Sequence, residues 1–264
     1  MTNTKPSSAT FEAFFEDSLY LLYKNHLYNF LVRRFMIRRQ LKERRFKRIL
    51  ELGCGISPIL EAGEGIIQTD FSHRALRHLN AQTRKGTTFR GINCDATRLP
   101  FTDEAFDGII CSEVIEHIEE DDKALEEMVR ILRQGGELIL TCPMHQSHFG
   151  FDDELVGHYR RYETDDLQSR LSRCGLKEVK TSPVLGPLEK WIMEPLTRFF
   201  ASQKKKEAAK NSLSPATRFV AWAALPFYVV FNYLFAIVVY FQAQKVSLDK
   251  AVTVCFHYQK RTLN

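Results

Sequence analysis

Five short apolar runs, each followed by a stretch of helical character, constrain this chain more than any other feature. They are RILELG (48–53), GIIQTD (65–70), FRGINCD (89–95), FDGIICS (106–112) and GELILTCP (136–143). Runs of this length suit strands, and strands alternating with helices predict a parallel sheet covered on both faces. LKEVKTSP (176–183) and AVTVCFHYQK (251–260) read as two further strands, separated by an unusually long excursion. The expected fold is α/β and doubly wound, with a helical apolar insertion between its last two strands. A 44% share of apolar residues can supply the core that such a sheet needs.

The expected organisation follows from these runs. Residues 1–10 are polar and read as a disordered tail with no signal peptide. Residues 11–47 form basic N-terminal helices, 48–183 the core, 184–250 the insertion, and 251–264 the last strand and C-terminus. The net charge of +5 is uneven: Lys and Arg crowd the stretch from Arg33 to Arg48, where Glu43 is the single acid, and Lys204, Lys205, Lys206 and Lys210 form a second cluster. Such patches meet nucleic acid or anionic lipid, or are simply solvated helix faces. Six cysteines without a CxxC pair, mostly inside apolar runs, fit small buried hydrophobes in a reducing compartment.

The turn Glu51-Leu-Gly-Cys-Gly-Ile-Ser-Pro58 follows the first strand. Gly53 and Gly55 let the backbone approach a ligand where a side chain would block it. Ser57 and Pro58 stand where a dinucleotide fingerprint has its third glycine. The acid before the first glycine, Glu51, suits an ammonium group and opposes a pyrophosphate. The short stretch from Gly55 to Asp70 leaves room for only a small first helix. Asp70 ends the second strand, where a carboxylate can accept two ribose hydroxyls, and Asp95 follows the third. Helix caps explain any one of these acids; three at adjacent strand ends outline a crevice for a cationic nucleoside.

In order, ELGCG, QTDFS, CDATRLPF, FDGIICSEVIEHI and LRQGGELILTCP resemble the motif set of class I S-adenosylmethionine-dependent methyltransferases. The closest likeness is to the type 11 group, which includes ubiquinone-pathway O-methyltransferases. The resemblance implies a Rossmann-like sheet of seven strands, the last antiparallel and inserted beside the fifth. It implies that Glu51, Gly53, Cys54 and Gly55 hold the methionine moiety of S-adenosylmethionine, Asp70 the ribose, and Asp95 with Ala96 the adenine edge. Phe71 and Ser112 join the cofactor set.

Two constellations are candidates for the chemistry. Glu113, Glu116 and His117 (E-x-x-E-H) stand at spacings that share one face of a helix. The pattern resembles the divalent-metal ligands of some ubiquinone-pathway and small-RNA O-methyltransferases; the plainer alternative is a cap and wall for the cofactor pocket. The second is Gly157-His158-Tyr-Arg-Arg-Tyr162, preceded by Asp152, Asp153 and Glu154. A GHYRRY run resembles a subgroup of type 11 enzymes. His158 can take a proton near neutral pH, with Tyr162 beside it as a second catalytic candidate. Arg160 and Arg161 either clamp an anionic acceptor or pair with the nearby acids.

Phe219 to Phe241 is apolar but for Asn232, with Pro226 inside it, and is long enough to cross a bilayer. The strands on either side should share one sheet, so both ends lie on one side of any membrane. The segment is therefore a re-entrant hairpin bent at Pro226, an interfacial helix, or a lid packed on the protein. The leading expectation is an enzyme on the cytoplasmic face of a membrane that methylates an oxygen of a lipid or lipid-linked acceptor. A soluble small-molecule enzyme with the segment as lid or dimer contact comes second. An RNA methyltransferase comes third, because no RNA-binding module accompanies the basic stretch.

Overall fold

A computed structural model of the chain describes residues 23–42, 46–192, 195 and 215–262. The polar tail, residues 11–22 and 43–45 of the basic N-terminal segment, and the lysine cluster at 204–210 lie outside the described residues. Seven strands form one sheet: β1 Ile49–Leu52, β2 Ile66–Asp70, β3 Gly91–Asn93, β4 Phe106–Ser112, β5 Leu132–Pro143, β6 Leu176–Leu185 and β7 Thr253–Lys260. Their order is β3-β2-β1-β4-β5-β7-β6. The first five are mutually parallel, and β7 runs antiparallel between β5 and β6. Each expected strand is present, and the inserted antiparallel strand lies beside the fifth.

Strand periodicity divides the core between the two faces of the sheet. Leu50, Ile109, Leu138, Leu140 and Phe256 point to one face, packed with Leu125, Met128 and Ile131 of α3 (Asp121–Ile131) and Leu167 and Leu171 of α5 (Thr164–Arg173). Their neighbours Ile49, Ile110, Ile139 and Cys255 point to the other. That face is covered by Phe30, Val32 and Ile37 of α1 (Tyr28–Leu41) and by Ala236 and Val239 of α6 (Pro215–Ala243). One stripe of the apolar insertion is thus part of the second layer of the fold. Among the described residues lie also α2 (His73–Gln82), capped by Ser72 Oγ accepting from the Ala75 N–H at 3.1 Å, the short α4 (Phe151–Val156) and a helical stretch at 188–192.

One expectation is corrected, and one of the three arrangements open to the apolar segment is not the one seen. No helix follows β1: the described chain from Gly53 to Gly65 is turns and bends. The Glu51 carboxylate organises this loop instead, accepting the N–H groups of Ile59 (2.5 Å) and Leu60 (3.1 Å) that helical bonding leaves unserved. The segment at 215–243 is one continuous helix rather than a hairpin, because Pro226 forfeits a single intrahelical N–H and the chain runs on. Its outward face carries Trp222, Phe227, Phe231, Leu234, Val238 and Phe241, each at least half exposed. Within Trp222–Ala243, a stretch long and apolar enough to cross a membrane, only 17% is buried. Asn232 points inward, and its Oδ1 accepts the Tyr28 N–H that begins α1 at 3.0 Å.

Candidate active site

A cavity of about 340 Å³ opens at the carboxyl edge of β1 and β4, the edge where open α/β sheets bind ligands. Gly53, Cys54, Gly55 and Ser57 form one end, and Ser112, Glu113, His117, Val156 and His158 the other. Gly53 (φ 68°) and Gly55 (φ 53°) occupy left-handed conformations. A Cβ on Gly53 would run into Val114 Cγ2. The glycine turn is therefore both conformationally and sterically required. Its shape is fixed from β2: Asp70 Oδ2 accepts the Gly55 N–H (2.7 Å), while Oδ1 accepts the Ser72 N–H (2.8 Å).

The expected cofactor residues divide into two groups. Glu51, Gly53, Cys54, Gly55 and Ser112 line the cavity. Asp70, Phe71, Asp95 and Ala96 continue along the open edge of the sheet, with Phe71 half exposed. Asp95 Oδ1 accepts both the N–H and the hydroxyl of Thr97 at 2.8 Å, which fixes the turn after β3. Burial pushes the Glu51 carboxyl up to about 7, even though the Ile59 and Leu60 N–H groups and Gln68 favour its charged form.

The second end differs from the helical reading of E-x-x-E-H. Glu113 takes a left-handed backbone (φ 55°), and a single 3₁₀ turn, Ile115–His117, follows. The three side chains therefore do not share a helix face. Glu113 turns to Thr141, whose hydroxyl donates to Oε1 at 3.0 Å, and to Arg33 at 3.6 Å. Its place beside Glu116 and His117 is taken by His158: one ligand atom from each of these three lies within 4.8 Å of the others. Of the expected metal set Glu113, Glu116 and His117, Glu113 thus stands apart from this grouping. The His117 and His158 rings meet edge to face at 4.6 Å. Burial, followed by the neighbouring His158, depresses His117 to about 3. Glu116 is fully buried and pushed well up by that burial and by the Glu113 charge.

His158 is fixed by Asp153 of α4, whose Oδ1 lies 2.7 Å from Nδ1. Arg161 holds the same carboxylate through Nε at 3.0 Å. Burial alone would raise the Asp153 carboxyl, but His158 and Arg161 keep it well below the usual carboxylate range. Arg160 reaches Asp121 Oδ1 at 3.0 Å and the Glu119 carbonyl at 2.9 Å. Both arginines thus pair with protein groups, the second of the two readings offered by the sequence. Tyr162, the second catalytic candidate, donates its hydroxyl to Asp121 Oδ2 at 2.7 Å inside the core and does not line the cavity.

The residues that the sequence did not disclose form the roof. Lys24, Leu27, Asn29, Phe30 and Arg33, from α1 and the turn before it, complete the cavity wall. Basic residues of this stretch are used within the molecule. Arg38 Nε donates to the Ile59 carbonyl (2.8 Å), Arg39 to the Tyr240 hydroxyl (2.8 Å), and Arg33 faces Glu113.

The sheet order, the glycine turn at its carboxyl edge and the cavity above that turn define the class I methyltransferase fold. Solved structures agree on the fold. The [4+2]-cyclase SpnF superposes with a TM-score of 0.64 at 18% identity, covering 100% of this chain and 99% of its own. A possible histamine N-methyltransferase from Thermotoga maritima superposes at 0.60 and 16%, covering 96% and 95%. At the level of sequence, the methyltransferase-domain family of the type 11 group matches residues 50–140. Residues 50–140 therefore carry the likeness to a methyltransferase domain of this group, and the relatives that match include proteins named demethylmenaquinone methyltransferase. Among curated relatives, a demethylmenaquinone methyltransferase of Paenarthrobacter aurescens is 35% identical over 141 residues, 52% of this chain and 51% of that protein. A phosphatidylethanolamine N-methyltransferase of Cereibacter sphaeroides is 29% identical over 115 residues, 40% and 52% respectively. The chain spans about half the length of the curated relatives it matches.

Proposed function

We propose that this chain transfers a methyl group from S-adenosylmethionine to an oxygen of a lipid or lipid-linked acceptor at the cytoplasmic surface of a membrane. The observation that carries this reading is the apolar outer face of α6, set directly behind the helix that roofs the cavity. Tyr28 and Phe235 stack edge to face at 4.8 Å across the α1–α6 contact, while Phe30 and Arg33 of the same α1 face the cavity. Leaving so many large apolar side chains in water is costly, at about 25 cal/mol for each Å² exposed, and a lipid surface removes that cost. The names of the relatives, one a quinone-precursor and one a phospholipid methyltransferase, point to the same acceptor class.

The cavity fits the methyl donor. Gly53 and Gly55 line it beside Glu51 and Cys54, where a methionine moiety can lie close to the backbone; Asp70 suits the ribose hydroxyls, and Asp95 with Ala96 and Phe71 the adenine. When bound, the sulfonium supplies an electrophilic methyl group, and the protein's contribution is then chiefly alignment and exclusion of water. Ser112 borders the turn from β4. A hydroxyl acceptor must lose a proton, and we assign that task to His158, whose ring Asp153 holds in place.

The test uses methyl-labelled S-adenosylmethionine with a membrane extract, followed by partition between organic and aqueous phases. Organic-phase label that disappears in Asp70→Ala supports the reading. Label confined to the aqueous phase overturns the lipid acceptor, and a wild-type protein that fails to co-sediment with anionic vesicles overturns the membrane surface.

A further inference from the structure

We propose that Arg33 binds an anionic oxygen group of the acceptor, a carboxylate or a phosphate, under the roof of the cavity. The Arg33 side chain is only 16% exposed and lines the cavity from α1. Its guanidinium offers a planar fork of N–H donors. Among the described residues it makes no hydrogen bond, and its buried Nε is without a partner. Glu113 faces Nη1 at 3.6 Å, an ion pair too long to be a hydrogen bond. Burying a charged group on these terms costs free energy, which a hydrogen-bonded ligand would offset. The remaining edge of the fork, Nε with Nη2, matches the oxygens of one carboxylate or phosphate.

The charge around the cavity favours such a ligand. Lys24 and Arg33 line it as cations, Glu51 and Glu113 as carboxyls. Burial lifts Glu51 to about 7, so at neutral pH it carries only part of a negative charge. S-adenosylmethionine, with a sulfonium and an ammonium against one carboxylate, adds net positive charge when bound. An anionic acceptor is therefore drawn to the loaded cavity, and a cationic one is disfavoured.

Position separates Arg33 from the carboxylate of the cofactor itself. The glycine turn has a cation of its own, Lys24, whose Nζ lies 3.7 Å from where a Gly55 Cβ would stand. Arg33 instead faces Glu113, at the end of the cavity shared with His117 and His158. Glu113, fixed by the Thr141 hydroxyl at 3.0 Å, keeps the guanidinium at that end. The inference rests on the proposed function and deepens it: the lipid acceptor carries its negative charge close to the hydroxyl that is methylated. Held by Arg33, that charge orients the hydroxyl toward His158.

The test is titration calorimetry of the full chain in mild detergent, saturated with S-adenosylhomocysteine. Dihexanoyl phosphatidic acid and octanoate are the anionic probes, and dihexanoylglycerol is the neutral one. The expected result is saturable binding of an anionic probe, about tenfold or more tighter than the neutral lipid and weakened to the same extent in Arg33→Gln. The tighter anionic probe tells phosphate from carboxylate. Arg33→Lys should fall between wild type and Arg33→Gln, because an ammonium keeps the charge and loses the fork. S-adenosylhomocysteine affinity should stay within about threefold in Arg33→Gln. Absence of saturable anion binding to the wild type, or equal binding by Arg33→Gln, overturns the site. A fall of about tenfold in S-adenosylhomocysteine affinity in Arg33→Gln assigns Arg33 to the cofactor's carboxylate and also overturns it. Organic-phase methyl label with an unchanged apparent KM in Arg33→Gln overturns the anion site and leaves the proposed function standing. Arg33-dependent anion binding with label confined to the aqueous phase supports the site and removes the lipid acceptor.

Discussion

Replacing Asn232 with leucine separates two descriptions of α6. As a helix surrounded by lipid, it would gain from losing a polar side chain. In the fold described above, Asn232 is buried and its Oδ1 accepts the Tyr28 N–H at 3.0 Å. That N–H opens α1, and Leu27 before it supplies no side-chain cap, so Asn232 acts as a cap reaching in from another helix. Leucine removes a bond worth about 0.5–1.5 kcal/mol and strands a buried donor at about 1–3 kcal/mol, part of which its own burial offsets. The Tyr228 carbonyl, which also accepts from Asn232 Nδ2 at 2.9 Å, keeps its position in the helix. A net loss of about 1–2 kcal/mol should lower the melting temperature by roughly 3–6 °C in a protein of this size. Circular-dichroism melts in mild detergent measure it, with vesicle co-sedimentation as control. An unchanged or raised melting temperature would refute the docking of α6 on α1 through this residue.

Gly53→Ala should cost more than tenfold in S-adenosylmethionine affinity by titration calorimetry, because the new Cβ meets Val114 at a left-handed backbone position. Wild-type affinity in that variant would remove the glycine turn from the binding site. The Glu51 carboxyl sits at about 7 in the folded chain against an ordinary 4.5. Protonation is therefore favoured by folding, and this contribution to stability is complete below pH 4.5 and lost as pH rises through 7. Urea unfolding should show about 3 kcal/mol of such pH dependence in the wild type but not in Glu51→Gln; equal slopes in both would exclude Glu51 as its source. Tyr162→Phe should lose about 1–2 kcal/mol with the Asp121 bond gone, yet keep turnover within twofold; a tenfold fall in kcat would restore Tyr162 as a catalytic residue.

The sheet was legible in the sequence because strand periodicity is local: each run from Ile49 to Pro143 announces itself within a few residues. The glycine turn and its acids were legible for the same reason. The E-x-x-E-H run misled because its spacing presupposes a helix, and the left-handed turn at Glu113 that prevents one has no glycine to advertise it. The joining of His158 to Glu116 depends on how α4 and the segment after it fold back over β4 and β5, a contact between residues far apart in the chain. The roof was hidden by its own charge. Arg33 and Arg38 read as solvated bases, and their partners Glu113 and the Ile59 carbonyl come from loops that only the assembled sheet brings near. Pro226 suggested a bend, whereas 215–243 forms one helix whose Ala236 and Val239 pack on the sheet.

The place of β7 has a kinetic consequence. It fills the slot between β5 and β6 and pairs with both along nearly its whole length, yet it follows α6 in the chain. Until residues 253–260 arrive, β5 and β6 each present an open edge, and the stripe of α6 that will cover Ile139 and Cys255 has no finished surface to dock on. This long apolar helix is thus made before the strand that completes its docking surface. Such late, long-range closure slows folding and prolongs the exposure of sticky intermediates, and under the proposed function a lipid surface met during synthesis would hold this chain before serving as its workplace.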